Sequence, residues 1–125
     1  MTSTEKLLSQ MGAFQPSCVL GAAVELDVFS VLSNEALTAQ AVSDKLSADA
    51  RATTMLLDAL VALELLTKEG AAYRLPPDLA PLLTESSPRS LLPMLRHQMN
   101  CLRGWAQLAQ SRYQRRFVYE TNVGA

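Results

Sequence analysis

Histidine occurs once and cysteine only twice in these 125 residues, as His97, Cys18 and Cys101. The two cysteines lie far apart and lack paired-ligand spacing, so neither a disulfide framework nor a zinc site is expected, and both read as buried thiols. Glycine is sparse as well. Gly12, Gly21, Gly70, Gly104 and Gly124 are scattered, and none builds the glycine-rich strand-to-helix loop with a downstream acidic residue that a Rossmann-type cofactor site requires. There is no G-x-S-x-G elbow, and the single histidine has no acidic residue within a turn or two to orient it, which argues against a hydrolytic triad. Glu25 and Asp27 read as the polar breaks of a buried helix rather than as a catalytic pair. Charge of one sign is lacking too: a net charge of −1 and a pI near 5.8 leave no electrostatic footprint for nucleic acid or an anionic membrane. No uninterrupted apolar run reaches membrane-spanning length, and MTSTEKLLSQ has no basic segment leading into an apolar one. A cytoplasmic location is the expectation.

What the chain has is apolar surface. Hydrophobic residues make up 49% and charged ones 18%, a rich allotment for one domain's length, and part of that surface calls for a partner. Leu7, Leu8 and Met11 cluster at helical spacing between Ser3 and Met11, with Gly12 as an interruption. A second helix is predicted from Pro16, as an N1 proline, through SCVLGAAVELDVFSVL to Leu32. It is apolar on two faces, one carrying Val19, Ala22, Leu26 and Phe29 and the other Leu20, Val24, Val28 and Val31, so burial on more than one side is expected. Thr38 then caps a third helix with Ala39, Val42 and Leu46 at core spacing.

The stretch ATTMLLDALVALELLTKEGAAYRL, Ala52 to Leu75, reads as a long helix and a ribbon. The helix is predicted from Ala48 or Asp49 to Leu66, with Leu56, Ala59, Leu60 and Leu63 on its core face and Met55, Leu57 and Val61 beside them. Thr67 to Glu69 and Ala71 to Leu75 form the two strands around Gly70. A short turn of helix follows at Asp78 to Leu83. Ser87 and Pro88 supply an N-cap and N1 residue for a final helix reaching about Leu108. The fold class is therefore mainly α: a winged helix-turn-helix with a short β-hairpin and additional N- and C-terminal helices suited to dimerisation. Residues 1–110 read as one domain and 111–125 as an atypical tail.

The winged helix raises the possibility of a small dimeric transcriptional regulator. Against it, the outward stripe of the fourth helix is Arg51, Thr54, Asp58 and Ala62, which sets a carboxylate where phosphate demands positive charge. Lys68 and Arg74 on the ribbon are interleaved with Glu64 and Glu69. No nucleic-acid partner is expected.

The runs AAVELDVFSVL (Ala22 to Leu32), LTAQAVSDKLSADARATTMLLDALVALELLTKEGAAYRLPPDLAPLL (Leu37 to Leu83) and PRSLLPMLRHQMNCLRGWAQL (Pro88 to Leu108) resemble the N-terminal dimerisation domain of small-molecule O-methyltransferases that use S-adenosylmethionine (SAM). These are the acetylserotonin, plant phenylpropanoid and bacterial polyketide-tailoring types. The resemblance implies helices that interlock with a second subunit, and a winged part that helps close the acceptor pocket. In that family a separate Rossmann-like domain binds SAM and holds the catalytic histidine. That domain has no counterpart here, so no cofactor, catalytic residue or metal is assigned to this chain, which is expected not to transfer a methyl group alone. It reads as a fragment or a stand-alone relic of such an enzyme.

On this basis a homodimer is predicted, with Leu7, Leu8, Met11, Phe14, Leu20 and Val24 contacting the partner. The resemblance turns the final helix toward the pocket, which gives Leu95, Met99 and Leu102 a substrate-facing role; methionine suits flat aromatic acceptors because it is soft and adaptable. A plain core stripe is the competing reading. His97 is a surface or interface residue, and Trp105 a buried anchor. In the tail, Arg112, Arg115, Arg116 and Phe117 could form a small basic-aromatic patch, though a solvated terminus explains them as well.

Overall fold

A computed structural model describes residues 1–110. The chain divides into two compact units, Met1–Leu92 and a second that begins at Pro93, a division inside the span read as one domain.

The first unit opens with α1 (Ser3–Gly12), closed by a capping box. The Thr2 hydroxyl accepts from the Glu5 N–H, and the Glu5 carboxylate accepts from the Thr2 N–H. Gly12 is inside this helix rather than a break, and only Ala13, itself in the right-handed helical region, separates it from α2 (Phe14–Leu26). Helix α2 starts two residues before Pro16, which still lies in the first turn, where its missing N–H costs no bond. The long helix expected through Leu32 ends early. Asp27 turns left-handed at φ 65°, and its N–H closes back on Ala23 and Val24; a short polar side chain tolerates that conformation. A four-residue helix, α3 (Val28–Val31), then buries Val28 and Phe29.

Strand β1 (Leu37–Thr38), α4 (Ala39–Leu46) and α5 (Ala50–Ala62) follow. The side chains of Thr38 and Asp49 accept from the N–H groups of Ala41 and Ala52 and so cap α4 and α5. Helix α5 stops well short of Leu66. Glu64 is left-handed at φ 63°, its N–H reaches the Val61 carbonyl, and the Leu65 N–H reaches that of Leu60, the paired closure of a Schellman motif. The buried line on α5 is Thr53, Leu57 and Leu60. Leu56, Ala59 and Leu63 are only half-buried, and Met55 faces out, so the helix is rotated slightly from the expected face.

The ribbon is β2 (Thr67–Glu69) and β3 (Ala72–Arg74), with Gly70 at φ 59° in the turn. The sheet has a third, edge member that the sequence reading missed. Strand β1 pairs antiparallel with β3, Leu37 opposite Tyr73, giving the order β1-β3-β2. Tyr73, Phe29, Leu57, Leu60, Leu66, Val28 and Val42 are fully buried and form the centre of the core. A short helix, α6 (Ala80–Leu83), adds Leu83.

Helix α7 (Leu92–Ala106) begins four residues later than expected. The Ser87 and Ser90 hydroxyls instead accept from the N–H groups of Arg89 and Leu92. Pro93 accounts for the late start. In a helix begun at Pro88 it would lie beyond the first turn, removing a backbone bond and crowding the preceding carbonyl.

Candidate functional site

Two surfaces of the first unit and one helix of the second carry the sequence-derived candidates. The first surface is α1 and the start of α2. No residue of α1 is buried, and Leu7, Leu8, Met11 and Phe14 are 65%, 68%, 76% and 53% exposed. A helix this short is marginal in water unless its apolar face is covered, and each such side chain gains roughly 1.5–3 kcal/mol on full burial. Leu20 is half-buried. Val24 must be removed from the expected interface: at 4% exposure it is part of the chain's own core, where α2 meets α3 and α5.

The second surface joins the exposed side of α5 to the ribbon. The Tyr73 hydroxyl donates a short hydrogen bond to the Asp58 carboxylate. Lys68 Nζ lies 3.5 Å from Asp58 Oδ1 and 4.9 Å from the centre of the Tyr73 ring, over its face. The Tyr73 hydrogen bond, and then the Lys68 charge, hold the Asp58 carboxyl below its ordinary range. Burial, and then Asp58, push the Tyr73 phenol up, while Tyr73 and Asp58 raise Lys68. The sequence reading places Asp58 and Lys68 separately and does not find this cluster, because Asp58 and Tyr73 are 15 positions apart and leave no local spacing signal. Chemically the cluster ties the wing to the helix; it draws the lysine toward a carboxylate rather than toward phosphate.

On α7, Leu95, Met99 and Leu102 are half-buried. His97 is exposed, and its Nε2 lies 3.6 Å from Cys101 Sγ. Cys18 and Cys101 are both free and half-buried rather than fully buried. Trp105, expected as a buried anchor, is 64% exposed. Arg112, Arg115, Arg116 and Phe117 lie outside the described residues.

An open hollow of about 570 Å³ lies among Ser30, Ser33, Asn34, Pro81, Thr84 and Ser87. Three of its hydroxyls serve the local backbone: Ser33 donates to the Ser30 carbonyl, Thr84 donates to that of Ala80, and Ser87 accepts from the Arg89 N–H. None of the sequence-derived candidates lines it. Among the described residues, no helix is long and apolar enough to cross a membrane.

A family model of the O-methyltransferase dimerisation domain matches residues 8–86. The chain belongs to the O-methyltransferase dimerisation-domain family. The N,N-dimethyltransferase OxyT of Streptomyces rimosus is 38% identical over 74 residues, which are 59% of this chain and 22% of OxyT. Among solved structures, an O-methyltransferase family protein from Burkholderia thailandensis superposes with a TM-score of 0.79 at 29% identity, over 88% of this chain and 33% of that one. Human N-acetylserotonin methyltransferase, solved in complex with SAM, gives 0.78 at 34% identity, over 100% of this chain and 39% of that one. The chain thus spans about a fifth of OxyT and well under half of either solved relative. The span matched by the dimerisation-domain family takes in Leu8, Met11, Phe14 and the whole winged helix, and stops before the α7 residues Leu95, Met99 and Leu102.

Proposed function

We propose that the chain is the self-association module of a SAM-dependent small-molecule methyltransferase, paired with a second copy through α1 and the start of α2. The observation that carries this reading is the exposed row Leu7, Leu8 and Met11 on α1, a helix with no buried residue, continued by Phe14 at the start of α2. Membership of a dimerisation-domain family supports self-association. Two-fold pairing is the commonest closed solution for such a face. In this proposal the SAM site lies outside these 125 residues, and α7 offers Leu95, Met99 and Leu102 to the acceptor pocket of the complete enzyme. The half-burial of those three side chains is compatible with a wall that a ligand finishes covering.

Analytical ultracentrifugation tests the proposal. The chain should sediment as a dimer at micromolar concentration, and Leu8→Asp with Met11→Asp should give a monomer with unchanged helical circular dichroism. A wild-type chain that stays monomeric at high micromolar concentration overturns the reading, as does a double variant that still dimerises.

A further inference from the structure

His97 and Cys101 stand at positions i and i+4 of α7, one turn apart on the same side of the helix. The Nε2 to Sγ separation is 3.6 Å. For a tetrahedral zinc ion with Zn–S near ~2.3 Å and Zn–N near ~2.0–2.1 Å, two ligand atoms lie about 3.6 Å apart. The pair therefore has the separation of one edge of such a site. The sequence of α7, LPMLRHQMNCLRGWA, contains no carboxylate. That disfavours calcium or magnesium, which seek oxygen ligands, and selects an ion held by thiolate and imidazole.

We propose that His97 and Cys101 form a two-ligand clamp for a borderline-soft divalent transition ion, zinc foremost, on α7. On binding, the Cys101 thiol gives its proton to solvent and its sulfur coordinates as thiolate. His97 coordinates through Nε2 and keeps its proton on Nδ1, so each ion taken up releases one proton. Two waters complete the tetrahedron. Among the described residues, no group of three His, Cys, Asp or Glu side chains converges, so the ion is held by one edge and exchanges readily. Arg96 and Arg103 lie on the same helix, and Arg103 donates to Asn100. Their charge opposes a dication, and the thiolate offsets part of it. A simple hydrogen bond between thiol and imidazole also accounts for the 3.6 Å distance, and the experiment separates the two.

The reduced full chain is titrated with Co(II), and the sulfur-to-cobalt charge-transfer band is followed in the near ultraviolet. The band should saturate at one equivalent per chain and bleach when zinc is added. His97→Ala and Cys101→Ser should each weaken apparent binding by about tenfold or more, with circular dichroism confirming that α-helix content is kept. Cys18→Ser, which removes the thiol with no histidine four residues away, should leave the band unchanged. Absence of the band in the wild-type chain overturns the proposal. So does a band that survives loss of either clamp residue, or one that disappears with Cys18.

Discussion

The phenol of Tyr73, in the middle of β3, donates its hydrogen bond to the carboxylate of Asp58 on α5. This contact fastens the wing to the helix that, in a DNA reader, would enter the major groove. Lys68 joins the same pair from β2. A fold shared with DNA-binding proteins here turns its wing lysine onto a carboxylate at the surface.

The pair should give the first unit two pH margins. Asp58 has a folded pKa below its unfolded value, chiefly through the Tyr73 hydrogen bond. Its contribution is therefore present above about pH 4, the ordinary aspartate value, and is lost as pH falls through the folded one. Tyr73 is shifted up, mainly by burial, so its contribution is present below about pH 10 and is lost as pH rises toward the folded value. Melting temperature measured against pH should show both declines. Asp58→Asn should flatten the acid decline, and Tyr73→Phe the alkaline one.

Much of the fold is legible in the sequence because its signals are local. The Thr38 cap, the Gly70 turn and the apolar spacing of Val42 with Leu46 each announce an element within a few residues. The differences have separate causes. Helices α2 and α5 end on left-handed Asp27 and Glu64, positions where glycine is the usual signal, so the sequence pattern alone carries both helices past their ends. Strand β1 has two residues and exists only through pairing with β3, where Leu37 meets Tyr73 from 36 positions away. At the candidate site, the exposed row on α1 was readable from spacing. Val24 was not, because an apolar residue on a two-faced helix looks the same whether its own core or a partner covers it. The contact between His97 and Cys101 on α7 is legible as an i, i+4 spacing but not from the spacing of the two cysteines.

The left-handed Glu64 carries its own prediction. A non-glycine residue there costs roughly 1–2 kcal/mol relative to its preferred region, part of which glycine returns through its greater freedom in the unfolded chain. Glu64→Gly should therefore raise stability by about 0.5–1 kcal/mol in urea denaturation. Asp49→Ala, which removes the α5 cap, should lower it by about 1 kcal/mol.

Nucleic-acid binding should be absent despite the winged shape. With Asp58 on the exposed side of α5 and Lys68 held against it, a mobility-shift assay on random duplex DNA should show no complex even at low salt. A complex whose affinity falls steeply as salt rises would favour the regulator reading instead.

The clearest separation between folding and assembly comes from two apolar residues on adjoining helices. Val24 is buried in the chain's own core, whereas Leu8 is 68% exposed on α1. An aspartate at Val24 would place an unpaired charge in the core, a change that costs roughly 3 kcal/mol or more, so Val24→Asp should abolish the cooperative melting transition at any protein concentration. An aspartate at Leu8 is solvated in the isolated chain and meets an apolar surface only when a second copy arrives. Leu8→Asp should accordingly keep the helical spectrum and lose association, and its melting temperature should be independent of protein concentration, whereas that of the wild-type chain should rise with it. If Leu8→Asp instead unfolds the chain as Val24→Asp does, α1 is needed for the fold itself and the division between core and interface drawn at α2 is wrong.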